Sequence, residues 1–331
     1  MLARKGNETS NILVIIVTYN AIIWIERCIN SVVQSSLPAD LYVIDNGSTD
    51  GTPKYIQDHF PYVFLVQSEN NLGFGQANNK GMQYALDKGY DYVYLLNQDA
   101  WIYPDTLEIL VKIQQQHSDY GVLSPIQIQA NGQHFDLNFL KGTCSFNSTP
   151  TFLEDLFFKR KENVYEVAQV MAAHWLISRN CLSKVGGFSP TFQHYGEDSN
   201  YGHRLKYWGF KMGIVPLALA VHDRESRKVD LRKIMYFQYT DFLIRFSTPI
   251  ASERHLWLKY ILDVVKYIVA KRSLVPLIYA IKVLRDYKKI LRNRQITKAT
   301  NCAFLKNGNN EFHSSRNTTA VSYTHLRAHE T

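Results

Sequence analysis

The chain has 331 residues, of which 46% are hydrophobic, 20% charged and 13% aromatic. That mix excludes an intrinsically disordered polymer and supplies one large core or two smaller ones. The formal net charge of +8 is unevenly spread: residues 251–300 hold 12 Lys/Arg against 3 Asp/Glu, so the basic character sits in one C-terminal segment suited to an anionic surface.

The N-terminus is polar from Lys5 to Asn11, and the first apolar run, Ile12–Val17, is too short for a signal-peptide core. Its unbroken Val/Ile composition predicts a strand buried on both faces. Asn20 is expected to cap a helix whose apolar positions Ile22, Ile25, Ile29, Val32 and Val33 recur at helical spacing. Leu41–Ile44 reads as a second strand, and Thr52-Pro53 as a helix start with proline in the first turn. Val63–Val66 is a third strand, followed by a helix near Gln76–Asp87; Tyr92–Leu96 is a fourth, and Pro104 begins another helix. Strand–helix alternation at this rhythm predicts an α/β domain with a parallel sheet. Residues 126–165 are less periodic and are expected to include antiparallel excursions. Two helices are expected over Leu256–Lys271 and Leu277–Arg292, separated by Pro276, with a disordered tail beyond Thr297. No apolar stretch approaches the roughly 20 residues of a spanning helix. Cys28, Cys144, Cys181 and Cys302 form no CxxC pair and read as free thiols of a reducing compartment.

Ligands of open parallel sheets bind at the carboxyl ends of the strands. Those ends read Thr18-Tyr19-Asn20, Asp45-Asn46-Gly47-Ser48-Thr49-Asp50-Gly51, Asn70-Asn71-Leu72-Gly73-Phe74-Gly75 and Asn97-Gln98-Asp99. Any one of them also reads as a turn or helix cap; four on one rim point to a site. Asp99 ends an apolar, β-prone run with a lone acid. Glu197 and Asp198 open a second helical pattern that continues through Tyr201, Leu205 and Trp208, where they also suit the helix dipole.

VIIVTYNA, VIDNGSTDGT, NNLGFGQANNKGM, LLNQDA and GGFSPTFQHYGEDSNYGHRLKYWGF resemble, in that order, the motif series of the family 2 glycosyltransferases in their rhamnosyltransferase-like branch. The resemblance spans about residues 12–222. It implies a GT-A (Rossmann-like, nucleotide-diphospho-sugar transferase) fold over residues 1–225, a basic helical extension over 226–300 and a tail over 301–320. Residues 321–331, VSYTHLRAHET, resemble a translated sequencing adapter and are set aside, which implies that the natural C-terminus is missing.

The same resemblance implies an inverting hexosyltransferase that uses Mg²⁺ or Mn²⁺. It would move a sugar from a dTDP- or UDP-donor to a hydroxyl of a saccharide or lipid-linked saccharide acceptor in surface polysaccharide synthesis. Asp99 and His222 would serve the metal. Thr18, Tyr19, Asn20, Asp45, Asn46, Gly73, Gly75, Asn79, Asn97 and Arg204 would serve the nucleotide-sugar. Tyr19 would stack on the base and Asp45 accept a ring N3–H, while Gly73 and Gly75 allow close approach to the ligand. Asn79 and Gly81 match the family pattern on the next helix. Asp198 would act as general base with Glu197 in support, the pair oriented by Arg204. Trp175, His194 and Trp208 fall near the acceptor side, although core packing suits each equally. Asn97 and Asn200 stand where the family usually has acids, which keeps a degraded, non-catalytic transferase open. A sugar nucleotidyltransferase would need a glycine-rich, lysine-bearing loop after the first strand, where this chain reads TYNA.

The basic helices carry an apolar stripe (Leu277, Ile281, Leu284, Leu291) beside a cationic one (Lys282, Arg285, Lys289, Arg292). Peripheral attachment to the inner face of a cell membrane or packing on the catalytic domain would each account for it. No recognisable nucleic-acid motif accompanies these cations.

Overall fold

The computed structural model describes residues 11–144, 149, 151–160, 162–223, 231–250, 253–272 and 274–305. The adapter-like segment, residues 306–320 of the expected tail and the boundary at 225/226 lie outside the described residues.

Nine strands form one mixed sheet among the described residues. In chain order they are β1 (Ile12–Thr18), β2 (Asp40–Asp45), β3 (Phe64–Gln67), β4 (Tyr92–Asn97), β5 (Ala100–Ile102), β6 (Tyr120–Ile128), β7 (Tyr165–Glu166), β8 (His174–Ser178) and β9 (Lys211–His222). The sheet runs β3-β2-β1-β4-β8-β6-β9-β5, with β7 paired to β9. The first four strands in this order are parallel, as the alternation of elements predicts. Antiparallel β8 then separates β4 from β6; in the stretch expected to hold antiparallel excursions, Ile128 bridges Phe135 and β7 begins at Tyr165, both antiparallel.

Helices α1 (Ile25–Val33), α2 (Thr52–His59), α3 (Phe74–Lys88), α4 (Thr106–Gln116), α5 (Leu137–Gly142), α6 (Phe152–Phe157), α7 (Arg179–Val185) and α8 (Glu197–Tyr207) surround the sheet. Successive residues of a strand point to opposite faces. Thus Leu13 and Ile15 enter one core with α3, α7 and α8, and Ile12, Val14 and Ile16 enter the other with α1 and α4. Gly81 serves this packing: a Cβ there would meet the Ile15 side chain at 2.7 Å.

Three helices follow where two are expected: α9 (Leu231–Ser247), α10 (Glu253–Lys271) and α11 (Val275–Ala299). Pro276 lies in the first turn of α11, a position that spends no intrahelical hydrogen bond, so it opens the helix and does not separate two. Their shared core includes Tyr239, Phe242, Phe246, Tyr260, Val264, Val283 and Ile290.

The tail expectation is corrected at its start. After α11 the chain returns to the sheet domain, where Cys302, Ala303 and Leu305 are buried. Cys302 N–H donates to Lys184 O at 3.1 Å, and Gly187 N–H donates to Ala303 O at 2.9 Å. Polar composition predicts disorder only where a segment has nothing to bury, and these residues have an apolar seat. All four cysteines are free and buried.

Candidate active site

The register places the ends of β1, β2 and β4 side by side, with Thr18 opposite Asp45 and Val17 opposite Asn97. The first two ends are stitched together by their own polar groups. Asp45 Oδ1 accepts from Thr18 Oγ1 at 2.8 Å and Ser48 Oγ at 2.5 Å; Oδ2 accepts the Gly47 and Ser48 amides at 3.1 and 2.9 Å. A carboxylate has about four acceptor positions, and Asp45 is only 2% exposed. Asp45 thus anchors the turn after β2.

Thr18 and Asn46 belong to the same scaffold, since Asn46 Oδ1 accepts the Leu72 amide at 3.4 Å. Asn20 caps no helix. It adopts φ 53°, accepts the Thr49 amide on its side chain at 2.9 Å and donates its own amide to Ser48 Oγ. Asp50 accepts the Ile22 amide, fixing the same loop. The Gln98 side-chain amide clamps the Tyr19 backbone from both sides, accepting from its N–H at 2.7 Å and donating to its carbonyl at 3.2 Å. Sequence reasoning missed this role of Gln98; its position between Asn97 and Asp99 was the available signal. The Tyr19 ring itself is 48% exposed.

The glycine-rich loop lies close against the segment before α8. A Cβ on Gly73, where φ is 76°, would strike the Gln193 carbonyl, and one on Gly75 would lie 2.9 Å from Phe188 Cβ and 3.9 Å from Glu197 Cβ. Asn79 grips the same segment: its Nδ2 donates to Phe188 O at 2.9 Å and its Oδ1 accepts the Phe188 amide at 2.6 Å. These contacts hold the second acidic element against the start of α3. Both amide functions of buried Asn79 are thereby used within the protein.

A different chemistry prevails past β4. His222 ends β9 opposite Ala100 in the antiparallel pairing, and its Nε2 lies 3.5 Å from both Asp99 Oδ1 and Asn97 Nδ2. His222 Nδ1 and Asn97 Oδ1 are buried without a hydrogen-bond partner among the described residues. Buried orphan acceptors of this kind mark a place for an external partner. Two donors and an amide oxygen fit a divalent cation that takes its remaining ligands from a bound diphosphate. Among the described residues, no group of three or more His, Cys, Asp or Glu side chains forms a complete protein cage.

The acidic pair opens α8 after two left-handed residues, Tyr195 at φ 64° and Gly196 at φ 90°. A Cβ on Gly196 would clash with Thr240 of α9, so the helical extension braces this turn. Asp198 Oδ1 accepts the Ser199 amide at 2.7 Å. Glu197 Oε2 is buried without a hydrogen-bond partner among the described residues, and burial, aided by the Asp198 charge, pushes the Glu197 carboxyl up to about 7.

Arg204 does not orient these acids. Fully buried, it donates through Nη1 to Gly187 O at 2.5 Å and through Nη2 to Val185 O, with Phe304 of the returning segment 4.8 Å away under its guanidinium. The carbonyls left open at the end of α7 attract the cation more directly than acids at the far end of α8. Burial lowers its pKa to about 10. Asn200 is likewise structural, donating to Ser247 Oγ on α9 at 3.0 Å. Trp175 is core, stacked 6.0 Å from Phe188, and Trp208 packs against the same core. His194 is exposed, and its carbonyl accepts from Tyr236 Oη.

Residues 13–175 match the family described as Glycosyl transferase family 2. An N-acetylglucosaminyl-diphospho-decaprenol L-rhamnosyltransferase of Mycobacterium tuberculosis is 26% identical over 231 residues, covering 64% of this chain and 75% of the relative. Among solved structures, S. aureus TarS 1-349 superposes with a TM-score of 0.54 at 16% identity, covering 86% of this chain and 82% of that one. GalNAc-T7 with UDP, GalNAc and Mn²⁺ superposes with a TM-score of 0.53 at 16% identity, covering 74% and 51%. At these identities the two structures speak for the fold alone.

Proposed function

Residues 13–175 belong to glycosyl transferase family 2, the chain has the GT-A fold, and on that premise we propose an inverting, metal-dependent hexosyltransferase. The donor is a dTDP- or UDP-sugar. The acceptor is a hydroxyl of a saccharide or lipid-linked saccharide in surface polysaccharide synthesis, reached at the inner face of a membrane. The Mycobacterium tuberculosis relative, whose name couples rhamnosyl transfer to a diphospho-decaprenol carrier, supports this choice.

The observation that carries the reading is the approach of Asp99 to His222, 3.5 Å apart where β9 ends, together with the Glu197–Asp198 pair that opens α8. Asp99, His222 and the Asn97 amide oxygen would hold Mg²⁺ or Mn²⁺. Such an ion offsets the negative charge that grows on the departing diphosphate. Tyr19 offers its exposed ring to the base. Asp198 removes the proton from the acceptor hydroxyl as that oxygen attacks the anomeric carbon and the bond to the diphosphate breaks. With no covalent intermediate, the anomeric configuration inverts. Glu197, neutral over much of the range below pH 7, leaves Asp198 as the main negative charge of the pair and offers a hydrogen bond to the acceptor.

The test is a screen of dTDP- and UDP-sugars with Mn²⁺, following nucleoside diphosphate release and the anomeric configuration of the product by NMR. Inverted product that disappears in Asp198→Asn is the expected result. Nucleotide binding without release from any donor would favour the non-catalytic reading.

A further inference from the structure

The last two helices pack on α9 with one side and leave apolar side chains uncovered on another. On α10, Tyr260 and Val264 are buried. Leu258, Leu262, Val265 and Val269 recur at steps of four, three and four residues, and all are exposed. At about 100° per residue these four form a single stripe, with exposed Lys259 and Lys266 along one border. α11 repeats the arrangement: Val283 and Ile290 face inward, while Leu277, Ile281 and Leu284 stand exposed. Val269 near the end of α10 and Leu274, the residue just before α11, 71% and 67% exposed, carry the apolar surface to the connection between the helices.

Charge continues the line. Along α11, Leu284 is followed on the same face by Lys288 and Arg292, both exposed. Arg272 stands exposed at the turn. Lys259, Lys266, Lys288 and Lys289 make no ion pair with a carboxylate among the described residues. The stripe is therefore apolar toward the end of the hairpin and cationic behind it. Packing against the sheet domain does not explain it, because the stripe expected to pack there, Leu277, Ile281 and Leu284, is the side left open.

We propose that the exposed side of the α10–α11 hairpin docks this protein on an anionic lipid bilayer, with its apolar side chains in the interface and its lysines and arginines at the headgroups. Exposed apolar surface of this extent on a soluble face marks an interaction site, and interfacial helices combine such a face with flanking cations. A second copy of the chain fits less well, since a twofold contact through this face would set the same cations against each other. No helix of the described residues is long and apolar enough to cross a membrane, so the hairpin lies on the surface. The inference deepens the proposed membrane-side acceptor, and its test uses no donor, so that its failure leaves the transfer reaction standing.

Co-sedimentation of the full chain with vesicles, without donor, tests it. Phosphatidylcholine vesicles containing phosphatidylglycerol should bind at least about tenfold more tightly than phosphatidylcholine alone, and added salt should weaken the binding. Leu262→Asp and Ile281→Asp should each cost about tenfold, as expected for removing one buried aliphatic group. Lys259→Glu with Lys288→Glu should abolish the preference for anionic lipid. Because these side chains are exposed, circular dichroism and Tm should stay unchanged in every variant. Truncation is a poorer test, since Cys302–Leu305 packs in the sheet core. Absence of vesicle binding, binding unaffected by the aspartate variants, or a concentration-dependent dimer abolished by them would overturn the proposal.

Discussion

The ends of β1 and β2 and the junction of β4 with β9 are similarly polar in sequence, yet they are built in opposite ways. At the first, Asp45 accepts from Thr18 and Ser48, Asn20 donates to Ser48, and Asp50 accepts from Ile22 and Thr52. At the second, and at the start of α8, Asn97 Oδ1, His222 Nδ1 and Glu197 Oε2 are buried with no hydrogen-bond partner among the described residues. A satisfied polar network fixes the shape of a rim, whereas an unsatisfied one is arranged for something that arrives. The residue type does not distinguish the two; the state of its lone pairs does.

The comparison is tested most severely at Asp198. Asp198→Asn should lower kcat by about 10³–10⁴-fold, the range of general-base loss, while calorimetry still detects nucleotide. Transfer surviving at near the native rate would remove the base assignment. Asp99→Ala should reduce turnover on the order of 100-fold at fixed Mn²⁺, through the lost leaving-group stabilisation. An unchanged Mn²⁺ dependence would count against the β4–β9 junction.

Asp45 and Tyr19 divide the other region. Asp45→Ala leaves two amides and two hydroxyls without their acceptor and should cost about 2–4 kcal/mol in chemical denaturation. Tyr19→Ala should leave stability within about 0.5 kcal/mol yet raise the donor KM roughly tenfold, consistent with a lost base stack. The reverse pattern would exchange scaffold and contact.

The smallest effect is a pH slope. With the Glu197 carboxyl raised from 4.5 to about 7, the folded protein keeps a proton that the unfolded chain has lost. Stability should therefore fall as pH rises through that window and level off above it. Glu197→Gln should flatten the Tm profile between those values. It should also retain a measurable part of the activity at neutral pH, unlike Asp198→Asn.

Much of this was legible in the sequence. Val/Ile runs and helical spacing located the four parallel strands and the helices between them, because both faces of a covered parallel sheet must be apolar. The ordered motifs located the rim and both acidic elements. Helix α9 was not read: its apolar residues are spread around the helix, giving no clear amphipathic stripe. The seat of Cys302–Leu305 was not read either, since a short polar-flanked segment shows no sign of a groove formed by residues more than 100 positions earlier.

What the sequence determined by itself was the parallel core, the polar strand ends and the family motifs, all written in local pattern. Only the tertiary structure decided which polar residues are consumed by their neighbours. It turned Asp45, Asn79 and Arg204 inward, to a turn, to the Phe188 backbone and to the end of α7, and left Glu197 Oε2 unpaired among the described residues. Hydrogen bonds and desolvation depend on partners and solvent brought together across the fold, and periodicity along a chain carries no information about either.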